Sequence, residues 1–183
     1  MKFEDFSPFN STDALVAHGD SYNHLDKISM VQYKIEKEIK FLKFKELVRG
    51  TYLRLGNYFK GKLTYSDNYT VFEDGKFLFD GIQPYTFYKG TLYQHHGVIF
   101  LNNEIIIKPQ TNYIVVGRPT FYNGFVFYET RIENAPNWET WKYDLKDNTH
   151  TPVLFGANAF VYNDTIFYSK WNKKEFELCH KKI

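Results

Sequence analysis

Disulfide chemistry is almost excluded from this chain of 183 residues, because its lone cysteine, Cys179, has no partner. The fold must therefore be held by its core rather than by cross-links. No apolar run approaches the roughly 20 residues that a spanning helix needs, and the opening Met1-Lys2-Phe3-Glu4-Asp5-Phe6 is too acidic for a signal peptide. Those absences predict a soluble, cytoplasmic protein without membrane contact. Charge of one sign is also missing: Lys and Arg total 23 against 21 Asp and Glu, and they are scattered. A nucleic-acid partner, which requires a basic stripe, is therefore not expected. No Gly-x-Ser-x-Gly turn and no Gly-rich phosphate loop occurs, so neither an α/β-hydrolase nucleophile nor a nucleotide cofactor is expected.

Aromatic residues are abundant instead, making up 20% of the chain, with 18 Phe and 15 Tyr. Such side chains favour pleated surfaces with one buried face. They recur in one phrase, two bulky residues, a polar turn and an apolar run. It reads Tyr58-Phe59-Lys60-Gly61, Phe87-Tyr88-Lys89-Gly90, Phe121-Tyr122-Asn123-Gly124 and Val161-Tyr162-Asn163-Asp164. Gly or Asn at these turns supplies the positive φ of a tight hairpin, with Lys89-Gly90 read as one such two-residue turn. Second hairpins follow at Glu73-Asp74-Gly75 and Asn102-Asn103, so two hairpins make a four-stranded meander. Three glycosylation-like triplets, at Asn10, Asn68 and Asn163, read as turn chemistry.

The drifting interval marks a β-repeat of five units, near residues 7–48, 51–81, 82–111, 115–156 and 158–183. In the first unit Ile28–Ile35 and Glu38–Leu42 are read as strands; the rival is an amphipathic helix over 27–48, with Val31, Ile35, Ile39 and Leu42 on one face. The last unit lacks a fourth strand. Lys2–Phe6 are expected to fill it, beside Glu175–His180, so that the N-terminal strand zips the ring shut.

Residues 125–154, reading FVFYETR and then NWETWKYDLKDNTHTPVL, resemble the blade motif of TolB-type and WD-like β-propellers, although the Trp-Asp dipeptide is absent. The resemblance implies an all-β, five-bladed β-propeller of four-stranded antiparallel blades in a single domain over 1–183. It implies no particular activity.

In such a ring, the loops between second and third strands and those between blades gather on one rim. They are polar here, with His18, Asp20, Tyr22, His24 and Asp26 in the first unit, Asp67 and Asn68 in the second, and His95 and His96 in the third. The fourth gives Glu129, Arg131 and Asn137, and the fifth Lys170, Trp171 and Asn172. His18, Asp20 and His24 could share a metal loop, but their spacing fits no known ligand pattern, and His95 and His96 would point apart on a strand. No metal is expected. A glycoside hydrolase would need two acids, for which Asp20, Asp67 and Glu129 are the candidates. The favoured expectation is a monomeric, non-catalytic recognition module that binds a protein or a glycan through His18, Tyr22, His95, Arg131, Lys170 and Trp171, the hydrolase being the alternative.

Overall fold

The computed structural model describes residues 2–21, 24–36, 39–109, 112–132, 138–171 and 176–183. All its elements are strands, and no helix among the described residues is long and apolar enough to cross a membrane. Five antiparallel sheets are arranged as a five-bladed β-propeller. Blade 1 is β1 (Lys2–Pro8), β2 (Asp13–Ser21), β3 (His24–Ile35) and β4 (Ile39–Arg49). Blade 2 is β5 (Leu53–Phe59), β6 (Lys62–Asp67), β7 (Thr70–Glu73) and β8 (Lys76–Asp80). Blade 3 is β9 (Ile82–Phe87), β10 (Gly90–His95), β11 (Val98–Leu101) and β12 (Glu104–Ile107). Blade 4 is β13 (Tyr113–Tyr122), β14 (Phe125–Ile132), β15 (Glu139–Asp144) and β16 (His150–Phe155). Blade 5 has three described strands, β17 (Ala157–Tyr162), β18 (Thr165–Trp171) and β19 (Phe176–Lys182).

Local turn chemistry explains the meanders. Lys60-Gly61, Asp74-Gly75, His96-Gly97 and Asn123-Gly124 hold two successive positive φ angles, which matches the right-handed twist of the flanking strands. The third phrase differs slightly from expectation. Gly90 pairs with Phe87, so its turn is Tyr88-Lys89, and Asn102 caps it by accepting from the Thr91 N–H at 3.1 Å and donating to the Lys89 carbonyl at 3.3 Å. The helical reading of 27–48 fails outright: β3 and β4 pair from Lys27↔Arg49 to Ile35↔Ile39, and alternate residues of β3 enter the core.

The inner strands β1, β5, β9, β13 and β17 touch in that order, and β17 touches β1. The expected closure is therefore wrong. Residues 2–6 do not join blade 5; β1 pairs with β2, from Lys2↔Gly19 to Pro8↔Ala14. A turn fixes that choice, in which the Asn10 carboxamide oxygen accepts from the Thr12 and Asp13 N–H groups and folds the chain straight back. The ring closes by packing instead. Phe6, 1% exposed, lies 5.2 Å from both Tyr33 and Phe167, joining the first and last blades across one apolar cluster.

Every inner strand carries a register break: Phe3/Asp5, Leu55/Tyr58, Ile82 to Tyr85, Gly117/Thr120 and Ala157/Phe160. Bulges bend and twist strands where they crowd around an axis. Gly56 shows the crowding, since a Cβ there would come within 2.4 Å of the Thr64 carbonyl and 2.6 Å of the Pro84 carbonyl. Its neighbour Asn57 uses the bulge to bridge blades: its Nδ2 donates to the Thr86 carbonyl at 2.9 Å and its Oδ1 accepts from the Thr86 N–H at 2.8 Å. That side chain completes a ladder that two backbones cannot make directly.

Candidate functional site

Chain direction gathers on one rim the turns after β2, β6, β10, β14 and β18, together with the connections between blades. The residues expected in those loops sit mostly on strand ends. His18 and Asp20 belong to β2, Asp67 to β6, His95 to β10, Glu129 and Arg131 to β14, and Lys170 and Trp171 to β18. Tyr22, Asn137 and Asn172 lie outside the described residues.

Three acids had been candidates for hydrolysis, and two of them serve the backbone. Asp67 Oδ1 accepts from the Tyr52 N–H at 2.8 Å and the Thr51 N–H at 3.3 Å, fixing the passage from blade 1 to blade 2. Glu129, 3% exposed, accepts from the Ala159 N–H at 3.2 Å and so links blade 4 to blade 5. Asp20 alone is exposed. The three are spread over blades 1, 2 and 4.

The histidines are also placed by structure. His18 is buried, with Nε2 2.8 Å from the Ser29 hydroxyl; burial, then the charge of Lys27, holds its pKa below the ordinary 6.5. It is a neutral ring with one nitrogen already engaged. His96 stands in a turn at φ 49°, not in an extended strand, so its ring meets that of His95 at 4.0 Å rather than pointing away. That corrects the expectation from alternation. No group of three or more His, Cys, Asp or Glu side chains is poised for a metal among the described residues. Cys179 and His180 do diverge, towards Tyr168 and Phe167 respectively, and burial raises the Cys179 thiol pKa.

On the fourth blade the guanidinium carbon of Arg131 lies 5.0 Å from the Trp138 ring centre, a cation–π contact, while its Nε is buried without a hydrogen-bond partner among the described residues. Lys170 is exposed and pairs in register with Glu177, next to the Trp171–Phe176 pair that ends the ladder.

A concave site forms in blade 1. Its volume is about 350 Å³, and it is lined by His18, Gly19, Asp20, Lys27, Ser29, Phe44 and Glu46. Register explains the grouping: Val16, Ser29 and Glu46 stand across adjacent strands, with His18 one pleat further along the same face. Phe44, 46% exposed, presents its ring edge-on to His18 at 6.2 Å. The Arg49 guanidinium, donating to both Glu46 oxygens at 3.2 and 3.0 Å, holds the Glu46 carboxyl below its usual range. The cavity thus offers acceptors, an ammonium group and an aromatic edge.

Sequence reasoning picked out His18 and Asp20 but missed Ser29, Phe44 and Glu46. Alternation along β3 and β4 was the available signal, since it puts Ser29 and Glu46 on the face that carries Val31 and Phe44. It also missed Tyr69. In the hairpin Asn68-Tyr69 the second turn position, glycine at Gly61, Gly75, Gly97 and Gly124, holds a tyrosine at φ 67° that is 72% exposed. A left-handed residue with a Cβ costs about 1–2 kcal/mol, and such strain tends to persist where it serves function. Tyr52, half exposed, stands at the end of the adjacent strand on the same rim.

Comparison with protein-family models, with curated proteins and with solved structures finds no match for this chain.

Proposed function

We propose that this chain is a non-catalytic recognition module that binds a glycan through the rim bearing the blade 1 cavity. One observation carries the reading: a concavity of about 350 Å³ in which Asp20, Lys27 and Glu46 surround the exposed Phe44 ring. A sugar has an apolar C–H face and a hydroxyl edge. An aromatic ring answers the first, and carboxylates with an ammonium group answer the second. Tyr52 and Tyr69 add exposed aromatic rings at blade 2 on the same rim, apart from the cavity. The hydrolase built on Asp20, Asp67 and Glu129 is disfavoured by geometry, because it needs two carboxyl groups facing each other across one bond, and Asp67 and Glu129 hold backbone amides in separate blades. The TolB-type and WD-like text of residues 125–154 agrees with this role, since such propellers include lectins and scaffolds as well as enzymes. A single chain without cofactor, acting in the cytoplasm, suffices.

A glycan array combined with a reducing-sugar assay tests it. Binding of at least one glycan class without release of reducing ends is the expected result, with the signal lost in Phe44→Ala and Asp20→Asn. An array without signal removes the glycan reading. Turnover abolished by Asp20→Asn, Asp67→Asn and Glu129→Gln together replaces it with the hydrolase.

A further inference from the structure

A second concavity lies on the opposite rim, where the turns after β13 and β17 gather. Its volume is about 380 Å³, at the small end of the roughly 300–1,000 Å³ that small-molecule sites occupy. Register builds its first wall. Tyr122 stands opposite Phe125, and Phe127, Lys142 and Thr151 stand in one row across β14, β15 and β16, so a single face of blade 4 sets apolar rings beside an ammonium group. Blade 5 supplies the facing wall. The Tyr122 hydroxyl donates to the Asp164 carboxylate at 2.5 Å and accepts from the Asp164 N–H at 3.0 Å, which pins the two blades together at the cavity. Its two charges are met unequally. Asp164 already holds a charge-assisted bond from the phenol, whereas Lys142 enters no ion pair among the described residues. The Lys142 Nζ lies 4.6 Å from the Phe125 ring centre, and this cation–π contact keeps the ammonium at the wall without neutralising it.

We propose that the cavity between blades 4 and 5 binds a planar aromatic carboxylate, its ring on the wall of Phe125 and Phe127 and its carboxylate on the Lys142 ammonium. The apolar rings answer the flat body of such a ligand, and the unpaired cation answers its acid. A guest of the same shape with an ammonium group would be repelled by Lys142, with only the already bonded Asp164 to offset it. A neutral guest would leave the cation unanswered. This site lies on the rim opposite the glycan cavity and shares no residue with it, so either reading can fail alone.

The test is calorimetric titration of the full chain with three probes that share one ring system: naphthalene-2-carboxylate, naphthalene-2-carboxamide and naphthalene-2-methylammonium. Saturable binding of the carboxylate is expected, with the amide and the ammonium weaker by about tenfold or more. Lys142→Gln should weaken the carboxylate by a similar factor, and Lys142→Glu should turn the preference towards the ammonium. Thr151→Trp, a bulky side chain placed on the exposed outer strand that lines the cavity, should block all three. Absence of saturable carboxylate binding overturns the proposal. Equal affinity for the three probes also overturns it, since the ring alone is then being held, and so does carboxylate binding that Lys142→Gln or Thr151→Trp leaves unchanged, since the ligand then sits elsewhere. The comparison of probes uses the unaltered protein, so its result stands even if a variant does not fold.

Discussion

Replacing Asn57 by alanine tests how the blades are held around the axis. The side chain is 5% exposed and is the bridge between the inner strands of blades 2 and 3. Its Oδ1 also accepts from the Thr64 hydroxyl at 3.0 Å, which orients the amide. Removing it deletes three hydrogen bonds and strands the Thr86 carbonyl and N–H. Each bond contributes about 1 kcal/mol net, and each stranded group adds about 1–3 kcal/mol unless water reaches it. Thr86 is only half buried, so water recovers part of this, and the expected loss is about 2–4 kcal/mol. For a chain of this length each kcal/mol moves Tm by about 2–4 °C, giving a fall of about 5–15 °C by calorimetry. Asn57→Asp is the informative companion, because it keeps an acceptor for the Thr86 N–H but sets a carboxylate oxygen against the Thr86 carbonyl; it should be no better than alanine. Lys146→Ala, at an exposed turn, is the control. A melting curve for Asn57→Ala within about 2 °C of the parent, or full rescue by aspartate, would refute the bridge.

Tyr69→Gly should raise Tm slightly, because it relieves the left-handed turn by up to about 1 kcal/mol, while weakening glycan binding in the array; a destabilised variant would mean that the ring is structural. His18 and His150 both have pKa values held down by burial, so the unfolded chain takes up their protons first and stability is lost as pH falls below about 6.5; proton NMR should show both rings titrating below the ordinary value. Tyr33 and Tyr85 are pushed up to about 12 by burial, so between pH 10 and 12 the unfolded state has lost protons that the folded state keeps. Stability should fall there by up to about 1.4 kcal/mol per pH unit per tyrosine, and ultraviolet titration should show both as late phenols, together with the buried Tyr128. Phe6→Ala should cost about 3–5 kcal/mol, since its ring joins Tyr33, Phe41 and Phe167 across the closing seam; a loss under about 1 kcal/mol in denaturant titration would show that the seam is held elsewhere.

The hairpins were legible because their signals are local. Lys60-Gly61 and Asn123-Gly124 need positive φ, and the apolar runs beside them alternate or fill a buried strand. Closure was not legible. Lys2–Phe6 reads as a short amphipathic strand that suits either an inner or an outer place, and the decision rests on contacts between Phe6 and residues far along the chain. The Asn10 turn was recognised as a turn, yet a turn says only that its two flanks fold together when both flanks are already known as strands. The rim shows the same limit in another form. His18 and Glu129 look like free polar groups in sequence, whereas their roles follow from Ser29 and Ala159, which register and ring order bring to them. Tyr69 could have been found by comparing turns within the chain, since four sister hairpins carry glycine where it stands.

Two kinds of bonding divide this molecule by radius, and the division bears on where partners can act. Near the axis, the repeated bulges, the Asn57 bridge and the Glu129 link tie neighbouring inner strands side chain to backbone. At the periphery, β4, β8 and β12 are largely exposed and pair in their sheets only with the strand inside them, with Leu42, Phe77 and Ile105 each more than 40% exposed. The seam between blades 5 and 1, the last and first in chain order, is packed by Phe6 and its ring partners. Phe6→Ala should therefore speed unfolding by loosening the joint between the first and last blades, which the unfolding rate in denaturant measures.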